Sequence, residues 1–142
     1  MPSLSPSHSA AAQRAARFEM SLRVDPATIH RVRRLVRDRL VEWERADHVR
    51  EAVFGVGELL ANVHKHVPGG RCVLDVRRTP GGVRVAVRDG DPRMPVVRQP
   101  EWDSEDGRGL FLLVHSVHDW GTVRLPDGKE VWFTTGPDDA EH

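Results

Sequence analysis

Apolar and polar residues alternate from position 18 to 24, FEMSLRV, which is the period of a half-buried strand. Asp25 and Pro26 follow as an N-cap and a first-turn proline. Up to about Arg45, Ile29, Val32, Val36, Leu40 and Trp43 recur at helical spacing, with arginines on the other side. Asp47 is placed to cap a second helix, whose apolar stripe is Val49, Ala52, Val53, Val56, Leu60 and Val63. Pro68-Gly69-Gly70 ends it. RCVLDVRR and VRVAVRD alternate on either side of Thr79-Pro80-Gly81-Gly82 and predict a hairpin. An irregular, proline-rich stretch covers 90–106. GRGLFLLVHSV, from Gly107, predicts a glycine-led helix. TVRLPDGKEVWF predicts a second hairpin turning at Asp127-Gly128. This order of elements predicts an α+β fold, a two-layer sandwich with one mixed or antiparallel sheet and helices on one face.

The chain has 142 residues, enough for one domain with its own core. Ser, Pro and Ala dominate 1–17 and predict a loose N-terminal tail; the folded domain is expected over 18–135, with a C-terminal tail over 136–142. Basic and acidic residues balance at 21 each, which argues against a general nucleic-acid or polybasic membrane surface. No apolar run approaches the roughly 20 residues of a spanning helix, and the N-terminus has no signal-peptide core. One cysteine, Cys72, excludes an internal disulfide framework and cannot form a zinc site alone. A reducing, cytoplasmic compartment is the simplest fit.

Three groups of polar residues fall at helix and strand ends. Glu58 and Asn62, in ELLANVHKH, share one helix face at i and i+4. An amide oxygen suits a hard cation such as Mg²⁺, and a carboxylate one turn away can take a proton from an attacking hydroxyl. A solvated face is the alternative. Asp89 ends a strand before Gly90. An ionised aspartate only accepts hydrogen bonds, so it suits the amino group of adenine and opposes the carbonyl of guanine; a turn aspartate is the alternative. Asp106-Gly107-Arg108-Gly109 leads into a helix whose free N–H groups make an anion site. Gly-x-Gly alone is weak evidence.

In this order the motifs resemble the ATP-binding domain shared by gyrase-type topoisomerases, the ninety-kilodalton heat-shock chaperone, histidine kinases and mismatch-repair ATPases, the Bergerat fold. Within it the chain is most similar to the small free-standing anti-sigma-factor serine/threonine kinases of bacteria, particularly actinobacterial versions. The resemblance runs from about Phe18 to Phe133. ELLANVHKH resembles the family's N box, which implies Glu58 as general base and Asn62 as the Mg²⁺ ligand. VRDGDPRMP resembles the adenine box, which implies Asp89 at the adenine amino group. DGRGLFLLVHSVHDWG resembles the second glycine box, which implies Gly107, Arg108 and Gly109 at the nucleotide. The Asp119-Trp120-Gly121 ending is also typical. The cofactors implied are ATP and Mg²⁺; the partners implied are a sigma factor and an anti-anti-sigma protein, with homodimers common among such proteins.

The chain departs from that pattern in three ways. Asp91 and Arg93 stand where many relatives carry glycines. Glu130 stands where relatives carry a small polar residue; it either approaches the nucleotide or points outward. The segment between Asp91 and Asp106 is short, which implies a small lid. His64 and His66, two apart on a helix, point to different sides and do not chelate together, although His66 can lie near the nucleotide. His115 and His118 suit a surface. Trp102 suits a lid anchor or a partner contact, and Trp43, Trp120 and Trp132 suit packing. Two functions follow: a protein kinase, favoured by Glu58, or a nucleotide-gated binding module without phosphotransfer. A sensor-kinase module cut loose from its dimerisation helices, and a scaffold that has lost nucleotide binding, fit less well.

Overall fold

Strand β1 (Arg17–Arg23) turns Phe18, Met20 and Leu22 inward and its charged residues outward, as a period of two requires. It opens the computed structural model, which describes residues 16–95 and 108–138. Helix α1 (Pro26–Glu42) starts on the expected cap: Thr28 donates to Asp25 Oδ1 from its backbone N at 2.7 Å and from Oγ1 at 3.0 Å. The second cap differs from expectation. Asp47 lies inside a single 3₁₀ turn, Ala46–His48, and α2 (Val49–His66) begins after it with no side-chain cap. At this corner Glu44 takes φ 61°. Arg45 then ties the corner to the sheet, donating to the carbonyls of Thr79 at 2.7 Å and Gly82 at 3.1 Å.

Strands β2 (Arg71–Arg78) and β3 (Val83–Asp89), helix α3 (Arg108–Ser116) and strands β4 (Asp119–Leu125) and β5 (Gly128–Thr134) complete the order. The five strands form one sheet, β1-β2-β3-β5-β4, in which every neighbour is antiparallel. The two-layer α+β sandwich is as expected, with the sheet antiparallel throughout. The hairpin pairs account for β2–β3 and β4–β5, and β5 then joins the free side of β3. At the ends of the fold, Ala16 is 5% exposed and its carbonyl accepts from Arg78 N. Gly81 N donates to the carbonyl of Pro137. No helix among the described residues is long and apolar enough to cross a membrane.

The core lies between the helices and one face of the sheet. Val36, Leu40, Val56 and Leu60 from the helices meet Leu74, Val76, Val85 and Phe133 from the strands, all at 0% exposure. Helix α2 comes close to β5 because residue 55 is glycine: a Cβ there would clash with the edge of the Phe133 ring at Cζ. Gly55→Ala would gain about 1 kcal/mol of helix propensity and meet about 1–3 kcal/mol of overpacking. Phe133 has no exposed side to move toward, so the steric cost wins. The expected result is a net loss of about 1–2 kcal/mol in urea unfolding; a more stable variant would mean that α2 sits further from the sheet.

The outer face of the sheet is charged. Arg17 meets Asp75 at 2.7 Å, Arg88 meets Glu19 at 2.8 Å, and Arg84 meets Glu130 at 3.2 Å. Trp132 belongs to this face, with the Arg84 guanidinium 5.1 Å from its ring centre. The expectation of core packing therefore fails for Trp132, whose neighbours Val131 and Phe133 take the inner face. Trp43 is buried against Phe18, and Trp120 packs against the core. Cys72, on the inner face of β2, pairs in register with Leu22 and Asp89. Burial first, and the Asp89 charge second, push its thiol up to about 11.

Candidate functional site

The C-terminal half of α2 and the neighbouring ends of β3 and β5 enclose a cleft of about 340 Å³, a size suited to a small ligand. Strand pleating explains its lining. Val87 and Asp89 share the inner face of β3, and Lys129 and Val131 share that of β5. Leu59, Val63, Val87 and Val131 form apolar walls, while Asn62, His66, Asp89 and Lys129 bring polar groups to the same space.

Asp89 serves the turn and the cleft together. Its side chain is 4% exposed. Its Oδ1 accepts from Asp91 N at 2.8 Å and from Lys129 Nζ at 2.9 Å. Lys129 Nζ also donates to the Asp91 carbonyl at 2.9 Å, and its side chain is 9% exposed. The two readings of Asp89, turn aspartate and cleft acceptor, are thus compatible, because the turn uses one oxygen.

Lys129 was not expected in the cleft. Of the two placements expected for Glu130 the outward one holds, with Arg84 at 3.2 Å and Arg88 at 3.6 Å. The signal lay in the alternation: Val131 and Phe133 mark the inner face, and Lys129 is in phase with them.

The Asp91 and Arg93 departure is also resolved locally. Asp91 is buried and accepts from the Arg93 side chain and backbone N. These hydrogen bonds, the side-chain ones foremost, hold the Asp91 carboxyl well below the usual carboxylate range. Arg93 Nη2 also donates to the His66 carbonyl at 2.9 Å, straps the loop to the C-terminus of α2, and places a cation where the helix dipole favours one. The acid and base that replace two glycines neutralise each other and form one rim of the cleft.

Glu58 lies one turn before Asn62 on α2. Its carboxylate reaches the start of α3, where a Cβ on Gly109 would fall on Glu58 Oε2. Gly109 is therefore needed for that approach. Burial pushes the Glu58 carboxyl up, against the opposing charges of Lys65 and Arg33. Among the described residues no group donates a hydrogen bond to it. Its lone pairs are available to take a proton. Arg108 opens α3, but its side chain lies outside the described residues, as do Gly107 and Trp102.

Asn62, half-buried at the cleft, supplies a neutral oxygen. Mg²⁺ takes few protein ligands and completes its shell with water and phosphate, so this donor fits the metal. His66 lines the cleft. His64 turns away, with Nδ1 3.2 Å from the Val24 carbonyl oxygen. His115 and His118 are exposed.

A family model described as a histidine kinase-like ATPase domain matches residues 22–135. The match spans α1 through β5 and therefore all the residues that form the cleft. No curated protein matches the chain.

Proposed function

The chain belongs to the histidine kinase-like ATPase domains, and from that premise we propose that it is an ATP-dependent serine/threonine protein kinase acting as an anti-sigma factor. Membership implies ATP binding. The finer reading rests on one observation above all: Glu58, half-buried and without a hydrogen-bond donor among the described residues, meets the glycine-led start of α3 one turn from Asn62.

In this reading the base of ATP lies in the apolar cleft against Asp89, and the phosphates extend toward the N-terminus of α3, whose free N–H groups suit anions. Glu58 takes the proton from a serine or threonine hydroxyl of the partner. That oxygen bonds to the γ-phosphorus, the bond to the bridging oxygen breaks, and ADP leaves. Positioning supplies most of the catalysis. Asn62 would hold Mg²⁺, which supplies charge neutralisation at the phosphates.

By resemblance, the acceptor is an anti-anti-sigma protein and the second partner is a sigma factor, which the protein holds inactive in the cytoplasm. Phosphorylation of the acceptor frees the protein to capture sigma. The same resemblance implies a homodimer. The test is incubation of the purified protein with Mg²⁺-ATP and candidate anti-anti-sigma proteins, read by intact mass. The expected result is one added phosphate on a serine or threonine of one acceptor. Stable, ATP-dependent capture of an acceptor without added phosphate would instead support a nucleotide-gated binding module. The Asp89–Lys129 pair favours that second reading, since base entry would be coupled to a buried ion pair.

A further inference from the structure

Asp89 and Lys129 present an acceptor and a donor side by side at the polar end of the cleft. Asp89 Oδ1 accepts from Asp91 N at 2.8 Å and from Lys129 Nζ at 2.9 Å, while among the described residues nothing donates to Oδ2. No side-chain oxygen or nitrogen sealed inside the described fold lacks a partner, so Oδ2 opens to the cleft. An ammonium carries three N–H donors. Lys129 gives one to Asp89 Oδ1 and one to the Asp91 carbonyl, which leaves a third. Both side chains are at least nine-tenths buried and both line the cleft.

Buried polar groups require partners, and a ligand edge that matches both supplies them. Adenine carries a donor, its 6-amino group, next to an acceptor, the N1 lone pair. Set against the pair, the amino group donates to Asp89 Oδ2 and N1 accepts from Lys129, with the ion pair intact. A 6-oxopurine inverts both characters. In the same pose its oxo oxygen meets the carboxylate and its N1–H meets the ammonium, so both contacts are mismatched together. Turning the base over would reverse the edge, but it would also carry the glycosidic bond to the other side, and the phosphates would no longer lead toward α3. A carboxylate acting alone opposes only the oxo group; the ammonium beside it opposes N1–H as well.

We propose that Lys129 is a second base-reading residue of this cleft: it donates to N1 of adenine and, with Asp89, excludes 6-oxopurine nucleotides. The proposal rests on the nucleotide-site reading above. The N1 contact is tested on the unaltered full chain with 1-deaza-ATP, in which C–H replaces N1 and the 6-amino group remains. Calorimetry in the presence of Mg²⁺ gives dissociation constants for ATP, 1-deaza-ATP and inosine triphosphate. The expected result is 1-deaza-ATP weaker than ATP by about tenfold or more, the loss of one hydrogen bond to a buried charged group. Inosine triphosphate is expected to be weaker still, since both polar groups then face a mismatch. ATP and 1-deaza-ATP binding equally well would overturn the role of Lys129 and leave the nucleotide site standing, and inosine triphosphate binding as tightly as ATP would do the same. Binding of none of the three would overturn the nucleotide site and the role of Lys129 together. In Lys129→Met, ATP and 1-deaza-ATP are expected to bind alike, because no donor faces N1. A preference for ATP that survives undiminished in that variant would also overturn the proposal; if the variant fails to fold, the comparison on the unaltered chain decides.

Discussion

Glu58→Gln is expected to lower phosphotransfer by about 10²–10⁴-fold, the usual contribution of a positioned general base, with ATP affinity nearly unchanged. Gln keeps the shape of the side chain against Gly109 but cannot take a proton. Two further readouts separate this role from a structural one. The wild-type rate should rise with pH as Glu58 loses its proton, and burial places that midpoint above the ordinary glutamate value. The same shift fixes the sign of the stability effect. A carboxyl whose folded pKa is raised stabilises the fold relative to its ionised form only at low pH, and that contribution is lost as pH rises through the folded pKa. Above it, the buried charge is a cost that Gln does not carry. Glu58→Gln should therefore unfold at a higher temperature than wild type at neutral pH while losing transfer, the trade-off expected where function requires a strained group. A variant that loses stability and transfer together would make Glu58 a structural anchor.

The second large effect belongs to Lys129. Lys129→Met removes the cation from a pair whose side chains are 9% and 4% exposed and leaves the Asp89 carboxylate without its partner. Breaking a buried pair on one side costs about 3–5 kcal/mol. Removing both charges, with Asp89→Asn and Lys129→Met together, should cost less than Lys129→Met alone. Urea unfolding of the four proteins in this cycle gives the coupling directly. A single-variant loss below about 1 kcal/mol would be that of a solvent-exposed pair, with the lysine outside the cleft.

Much of the fold was legible because its signals are periodic and local. β1 alternates cleanly, β2 and β3 keep enough of the period to be placed although Leu74 to Val76 and Val85 to Val87 are each buried in succession, α1 carries its cap and proline at the right offset, and the stripe of α2 runs unbroken from Val49 to Val63. The errors arose where period alone underdetermines the answer. Asp47 has the chemistry of a cap, but the chain takes a 3₁₀ turn there and Arg45 is drawn to the β2–β3 turn. In β5 the alternation divides residues into two sets without saying which set meets the helices. Trp132 and Glu130 form one set, and Lys129, Val131 and Phe133 the other. A large tryptophan made the first set look like core, whereas it lies beneath Arg84 on the charged face. The juxtaposition of Glu58 with Gly109 is a tertiary contact 51 positions apart in sequence, which resemblance could imply and local pattern could not.

The buried thiol gives the fold an internal clock. Thiolate is the reactive form of cysteine, and Cys72 is both buried on the inner face of β2 and held protonated, its pKa pushed up to about 11. An alkylating reagent reaches it when this part of the sheet opens, so the labelling rate measures the free energy of that opening. Cys72 stands opposite Asp89 in register, beside the wall of the cleft. Whatever occupies the cleft and favours the closed sheet slows the reaction in proportion to its occupancy. With one cysteine in the chain, a single mass measurement follows that rate, and ligand binding can be timed without an added label.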